Sequence, residues 1–261
     1  MLILPLSDMH VDGTNYEIPS AGPASVIVIA GDIADGFHKA SPWLLRVARK
    51  YHEKKVLFVL GNHCLSNLGM TIQESYEAYL ELTEQCPNLH LLSSGVCGPR
   101  NEYLDEDAKV AFIGDTLWTN FSANGDPEYD MRYAQRLMIE YGWVYTNPAT
   151  LLTPEVVWEM HEEMKLLLLE RAAVLKAEGY KVVMAVHHGV HPLSENTNFM
   201  GKPSCAAYCS KVIPDEGNPN IDLVIHGHVH QFKEYFLGNT HVVHNPVCSG
   251  VPYPHKMTVE V

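Results

Sequence analysis

Ile221-Asp222-Leu223-Val224-Ile225, running into His226-Gly227-His228-Val229-His230, is the stretch on which the fold turns. Its first five residues have the make-up of a short buried strand bounded by turn residues. Gly227 then lets the backbone turn, and the imidazoles of His228 and His230 emerge just beyond the strand end. Residues two apart in extended chain point the same way, so both can face one site. A histidine at a strand end is more often simply hydrogen-bonded. What changes the odds is that four earlier strands end in the same chemistry.

Those strands come in order. Leu2 to Leu6 runs into Ser7-Asp8-Met9-His10, and Ser25 to Ala30 into Gly31-Asp32. Val56 to Leu60 runs into Gly61-Asn62-His63-Cys64, and Lys181 to Val186 into His187-His188-Gly189. Between them, residues 41–53, 71–85 and 153–179 have helical spacing. Ser41 is the expected N-cap of the first, with Pro42 at its first helical position, and Thr153-Pro154-Glu155 opens the third. Residues 89–114 read as short antiparallel strands, and 232–236, 241–244 and 257–261 as strands of a second sheet. Residues 121–148, rich in Tyr, Asn, Gly and Asp, are the expected flap or lid, with a helix around 129–141. With no linker, repeat or low-complexity tract, residues 1–261 are expected to form one domain.

Composition narrows the function classes. The 261 residues are 46% hydrophobic and 19% charged, ordinary for a globular protein. No apolar run approaches the ~20 residues needed to cross a bilayer. The apolar N-terminus lacks a basic leader and runs directly into Asp8, so it reads as a strand and the expected location is cytoplasmic. The net charge of −13 argues against a protein that tracks nucleic-acid backbones over a broad surface. It is compatible with a metal site that handles one phosphate, because bound cations reverse the local field.

Collected, the strand-end residues are Asp8 and His10, Asp32, Asn62 and His63, His187, and His228 with His230. In open α/β folds, ligand sites lie outside the carboxyl ends of strands. The six cysteines contain no CxxC pair and none joins this set, which disfavours a cysteine-rich structural zinc site. Mixed carboxylate, amide and imidazole donors suit Mn, Fe or Zn. The donors are too many for one ion, and with one carboxylate shared they would fill two adjacent metals. His38, His52, His90, His161, His241, His244 and His255 fit no such position and read as surface or packing residues.

The set Asp8-x-His10, Gly31-Asp32, Gly61-Asn62-His63, His187-His188 and Gly227-His228-x-His230 resembles the calcineurin-like metallophosphoesterase superfamily. The finer context, including Thr116-Leu117-Trp118-Thr119 and Asn245-Pro246, is similar to a group of small bacterial and phage phosphoesterases. The resemblance implies a four-layer α/β/β/α sandwich of two mixed sheets flanked by helices. It implies two divalent ions, Mn first and Fe, Zn or Mg as alternatives. Asp8, His10, Asp32 and His230 would hold one ion, and Asp32, Asn62, His187 and His228 the other. His63 would serve the leaving group as the catalytic acid, and His188 and His191 are candidates for substrate contact.

The implied activity is hydrolysis of a small phosphorylated substrate by a metal-bridging hydroxide, with a diester or nucleotide slightly favoured. A monoesterase or protein phosphatase of the same fold is the alternative. A non-catalytic metal-binding scaffold is disfavoured, because such relatives usually lose ligands and all are present here. One departure stands out: the family usually has Glu or Asp after the Asn-His pair, where this chain has Cys64. His63 would then need a carboxylate approaching from elsewhere, with Asp12 or Asp35 the candidates.

Overall fold

The structure, a computed structural model, describes residues 1–14, 16–198, 200–247 and 258–261. The first half of the chain runs β1 (Leu2–Leu6), α1 (Val11–Thr14), β2 (Val26–Ala30), α2 (Phe37–Lys50), β3 (Lys55–Val59), α3 (Ile72–Thr83) and β4 (Leu89–Leu91). It continues through β5 (Tyr103–Asp105), β6 (Val110–Asp115), α4 (Pro127–Leu137), α5 (Glu140–Trp143), β7 (Tyr145–Asn147) and β8 (Thr150–Leu151). The long α6 (Pro154–Ala177) then leads to β9 (Lys181–Val186), β10 (Leu223–His226), β11 (Lys233–Leu237), β12 (Thr240–His244) and β13 (Val259–Glu260).

The strands form two mixed sheets. One has the order β13-β1-β2-β3-β4, the other β11-β12-β10-β9-β6-β5. In the first, β1 to β4 are parallel and β13 is antiparallel to β1. In the second, β12, β10, β9 and β6 are parallel, with β11 and β5 antiparallel at the edges. A Val/Ile/Leu run buried on both faces is the signature of a covered parallel strand. The alternation in β2 shows how it is divided. Val26, Val28 and Ala30 pack between the sheets with Phe112, Val183, Ala185 and Ile225. Ile27 and Ile29 face outward, into the core that also holds Trp43, Leu44, Tyr76 and Tyr79 of α2 and α3. Beyond the second sheet, Val157, Met164, Leu168 and Leu175 of α6 close the fourth layer. The result is an α/β/β/α sandwich in which the carboxyl ends of β1, β2, β3, β9 and β10 meet along one edge.

Helix starts follow local chemistry in three cases. Thr71 and Glu74 form a reciprocal capping box on α3, while Asp126 and Thr153 cap α4 and α6, each followed by proline. The fourth differs from expectation. α2 begins at Phe37, four residues before Ser41, so Pro42 lies inside it. Its first amide is satisfied from a distant loop, where Asn67 Oδ1 accepts from Phe37 N at 2.6 Å, a cap invisible to a local reading.

Other expectations also change. β4 pairs parallel with β3, while β5 and β6 pair antiparallel and a single antiparallel bridge joins Ser93 to Asn101. The C-terminal strand joins the first sheet through Leu2 and Ile3, not the second. The expected helix over 129–141 is two helices, α4 and α5. Cys248 and His255 lie outside the described residues. Among the described residues, no helix is long and apolar enough to cross a membrane.

Candidate metal centre

The loops at the common sheet edge are tied by backbone hydrogen bonds. Asp8 N donates to Gly31 O at 3.2 Å, His10 N to Asp32 O at 3.1 Å, and Gly227 N to His187 O at 2.9 Å. Their conformation is costly. Asp8, His10, Asp32, His228 and His230 all have positive φ, between 41° and 71°. Residues other than glycine seldom adopt this region, and such strain gathers where side chains must be aimed. Packing is equally tight: a Cβ on Gly61 would overlap Asp32 Oδ1, and one on Gly31 would overlap the His187 ring. The motif glycines are there because the site leaves them no side-chain space.

These turns gather the donors into two groups. Atoms of Asp8, His10, Asp32 and His230 lie within 4.8 Å of one another, and so do atoms of Asp32, His187 and His228. Asp32 belongs to both. Its Oδ1 accepts from His63 N at 3.0 Å. Its Oδ2 is buried, has no hydrogen-bond partner, and faces His187 Nε2 at 3.3 Å. Asp8 Oδ1 likewise accepts from His228 N at 2.8 Å and lies 3.4 Å from His230 Nε2.

The imidazoles are arranged as acceptors of something positive. His187 Nδ1 donates to Ala30 O at 2.8 Å, which turns Nε2 toward Asp32 Oδ2 and Asn62 Oδ1, the latter at 3.0 Å. Burial lowers the His187 pKa, but Asp32 outweighs it and the value reaches about 9. The same positions can be satisfied by a cation. Asp32 is raised by burial and lowered by His187 and His63, which hold it well below the usual carboxylate range. His228 Nε2 is buried without a partner, and His10 Nε2 and His230 Nε2 approach to 3.3 Å. Buried, unpartnered oxygens and nitrogens converging in this way are uncommon in a folded chain. Hard carboxylate and imidazole donors without a thiolate fit divalent ions, so the donor set fits the metals that the sequence implied.

Asn62 completes the second group. Its Nδ2 donates to Glu140 Oε2 at 3.2 Å, which leaves Oδ1 facing His187. Glu140 sits at the start of α5 and is only 2% exposed. Burial pushes its carboxyl up to about 7. Nothing local marked it, because it comes from the Tyr-, Asn-, Gly- and Asp-rich stretch expected as a flap. The same stretch supplies Leu137, Met138 and Ile139 to a cavity of about 320 Å³ over Asp32, Asn62, His63, His228 and His230.

His63 lines that cavity with its ring 4.7 Å from that of His10. The carboxylate missing at position 64 is replaced by Asp35, whose Oδ1 is 2.6 Å from His63 Nδ1. Asp12 is engaged by Lys39 instead, at 3.0 Å. Cys64 is a core residue: burial pushes its thiol up to about 12, and its Sγ accepts from Ile33 N at 3.4 Å.

His188 and His191, expected as substrate contacts, do not line the cavity. His188 is fully buried, its ring 4.2 Å from that of His228 and its Nδ1 3.2 Å from Thr116 O. His191 Nε2 pairs with Asp215 at 3.0 Å, and its Nδ1 accepts from Leu193 N. His244, read as a surface or packing residue, is a packing residue that also reaches the site. It is fully buried, with Nε2 3.1 Å from Asp8 Oδ2 and its ring stacked on His226. Its place directly before Asn245-Pro246 was the available signal.

Comparison with known proteins agrees with this geometry. No curated protein matches the chain. Among solved structures, the phosphopantetheinyl hydrolase of Mycobacterium tuberculosis is similar with a TM-score of 0.64 and 16% identity, covering 99% of this chain and 95% of the other. A dimetal phosphatase of Danio rerio is similar with a TM-score of 0.56 and 13% identity, covering 94% of this chain and 87% of the other. Identities this low speak for the fold alone. The family profile described as calcineurin-like phosphoesterase matches residues 1–232. That span runs from the first strand to two residues beyond His230 and takes in every strand-end motif from Asp8 to His230, so the chain belongs to the calcineurin-like phosphoesterases, a family of metal-dependent hydrolases.

Proposed function

We propose that the chain hydrolyses a small phosphate ester, a phosphodiester in preference to a monoester, at a two-metal centre bridged by Asp32. The observation that carries this reading is the membership of Asp32 in both donor groups, with Oδ2 buried and unpartnered. Asp8, His10, Asp32 and His230 would hold one ion, and Asp32, Asn62, His187 and His228 the other, Mn²⁺ being our first choice. Bound there, two divalent ions supply charge that polarises the phosphoryl group and acidifies water.

The remaining work falls to the chain's own residues. A water oxygen forms the new bond to phosphorus as the ester P–O bond breaks. The water's proton passes to solvent, and the leaving oxygen takes the electron pair. His63 holds the proton that this oxygen needs, because Asp35 engages Nδ1 and leaves Nε2 for the substrate. Burial lowers the His63 pKa, but Asp32 and Asp35 together raise it above its ordinary value. Both carboxylates thus favour the protonated imidazole. Leu137, Met138, Ile139 and Tyr208 also line the cavity.

Chelator-stripped protein, assayed on bis-p-nitrophenyl phosphate and p-nitrophenyl phosphate with and without Mn²⁺, tests the proposal. Hydrolysis of the diester that returns only with metal is expected. Metal-independent turnover, or none with two ions bound, would contradict it, and faster monoester turnover would reverse the substrate preference.

A further inference from the structure

A second cavity, about 440 Å³, adjoins the one over the metal-ligand residues. It is lined by Asp35, Lys39, Asn67, Leu68, Ile139 and Trp143, among others. Ile139 lines both cavities, and the His63–Asp35 pair stands between them, His63 on one side and Asp35 on the other. We propose that this cavity receives the leaving group of the ester, and that it selects an alcohol carrying a neutral, flat aromatic ring. The proposal rests on the phosphoesterase reading above.

Position comes first. The leaving oxygen must lie beside the proton of His63, so the group attached to it extends past that side chain, toward Asp35 and the second cavity. Lining chemistry comes next. Trp143 is 48% exposed, Leu68 77% and Ile139 39%. Large apolar side chains grouped around a concavity characterise ligand pockets, and an indole face favours another flat ring.

Of the polar lining, His38 is set edge-on to Phe37, and Asn67, Ser66 and Lys39 are already engaged. Asn67 Oδ1 accepts from Phe37 N, and its Nδ2 donates to Cys64 O at 3.1 Å and Ser75 Oγ at 3.0 Å. Ser66 Oγ donates to Asn62 O at 3.2 Å. Lys39 Nζ is shared between Asp12 at 3.0 Å and Asp35 at 3.7 Å. Of the charged groups that line the cavity, Lys39 and Asp35 offset one another, so the lining offers no spare cation to hold a further phosphate. A neutral ring meets apolar surface and loses no polar partner.

Binding of methylphosphonate and benzylphosphonate to the Mn²⁺-loaded full chain, measured by isothermal titration calorimetry, tests this directly. Wild type is expected to bind benzylphosphonate about tenfold more tightly, as aromatic stacking and apolar burial allow. In Trp143→Ala that preference collapses through weaker benzylphosphonate binding, with methylphosphonate affinity held within about twofold. Leu68→Ala, which lines the second cavity alone, moves the same way. Trp158→Ala, an exposed tryptophan on α6, keeps the wild-type preference. Circular dichroism checks that each variant is folded. No preference in wild type, or an undiminished one in Trp143→Ala, overturns the assignment of the cavity. Failure of the metal-loaded chain to bind even methylphosphonate overturns it together with the phosphoesterase reading beneath, and is distinguishable because both ligands then fail.

Discussion

His63 receives its carboxylate from a loop that is distant in sequence, since Asp35 lies 28 positions before it. Asp35 and Asp32 raise the His63 pKa against the opposing effect of burial, and an acid must carry its proton to act. Activity is therefore lost as pH rises through the His63 pKa. Removing the Asp35 charge lowers that pKa, so the alkaline limb of the kcat profile moves to lower pH. We expect Asp35→Asn to show this displacement, with kcat at pH 8 reduced roughly tenfold and metal content retained. An unmoved alkaline limb would separate Asp35 from the chemistry. At this scale the sequence was legible wherever a residue sits on a strand-end motif: Asp8, His10, Asp32, Asn62, His187, His228 and His230 are all brought to one edge. Asp35 was legible only as one of two candidates, His244 only by its place before Asn245-Pro246, and Glu140 not at all, because their partners are fixed by tertiary packing.

Among the elements, α5 reaches deepest into the site. It is only four residues long, yet Glu140 at its start holds the Asn62 amide through Nδ2. Groups that orient a metal ligand in this way typically affect affinity by about 10–100-fold. Glu140→Ala should therefore weaken the second ion by about that factor, read by competition with a chromophoric chelator, and leave the first little changed. Equal weakening of both ions, or of neither, would contradict the assignment. Strands and the helices α3 and α6 could be read from apolar spacing and caps, because their signals are local. The start of α2 could not, since its cap is Asn67 from another loop. Nor could the pairing of β13 with β1, since a short apolar run does not say which sheet edge it will join.

For the whole molecule, acid stability depends on histidines buried in the core. His161 of α6 is fully buried, with Nδ1 donating to Leu117 O at 3.0 Å. Burial and the nearby Lys165 push it down from 6.5 to about 4. Between those pH values the unfolded chain takes a proton that the folded chain refuses, so stability is full above 6.5 and falls as pH drops toward 4, by about 3 kcal/mol. His161→Gln should flatten this part of the pH dependence of the urea midpoint; parallel profiles for variant and wild type would contradict it. The sandwich itself holds the donors in place, for both sheets present their carboxyl ends to one edge and share the core around Phe112 and Val183. The account stands or falls on Asp32 serving two ions at that edge. Metal content after Mn²⁺ loading and desalting, measured by inductively coupled plasma mass spectrometry, tests it most directly. Two ions per wild-type chain and no more than one in Asp32→Ala is the predicted result. One ion or none in wild type, or two retained in Asp32→Ala, would contradict it.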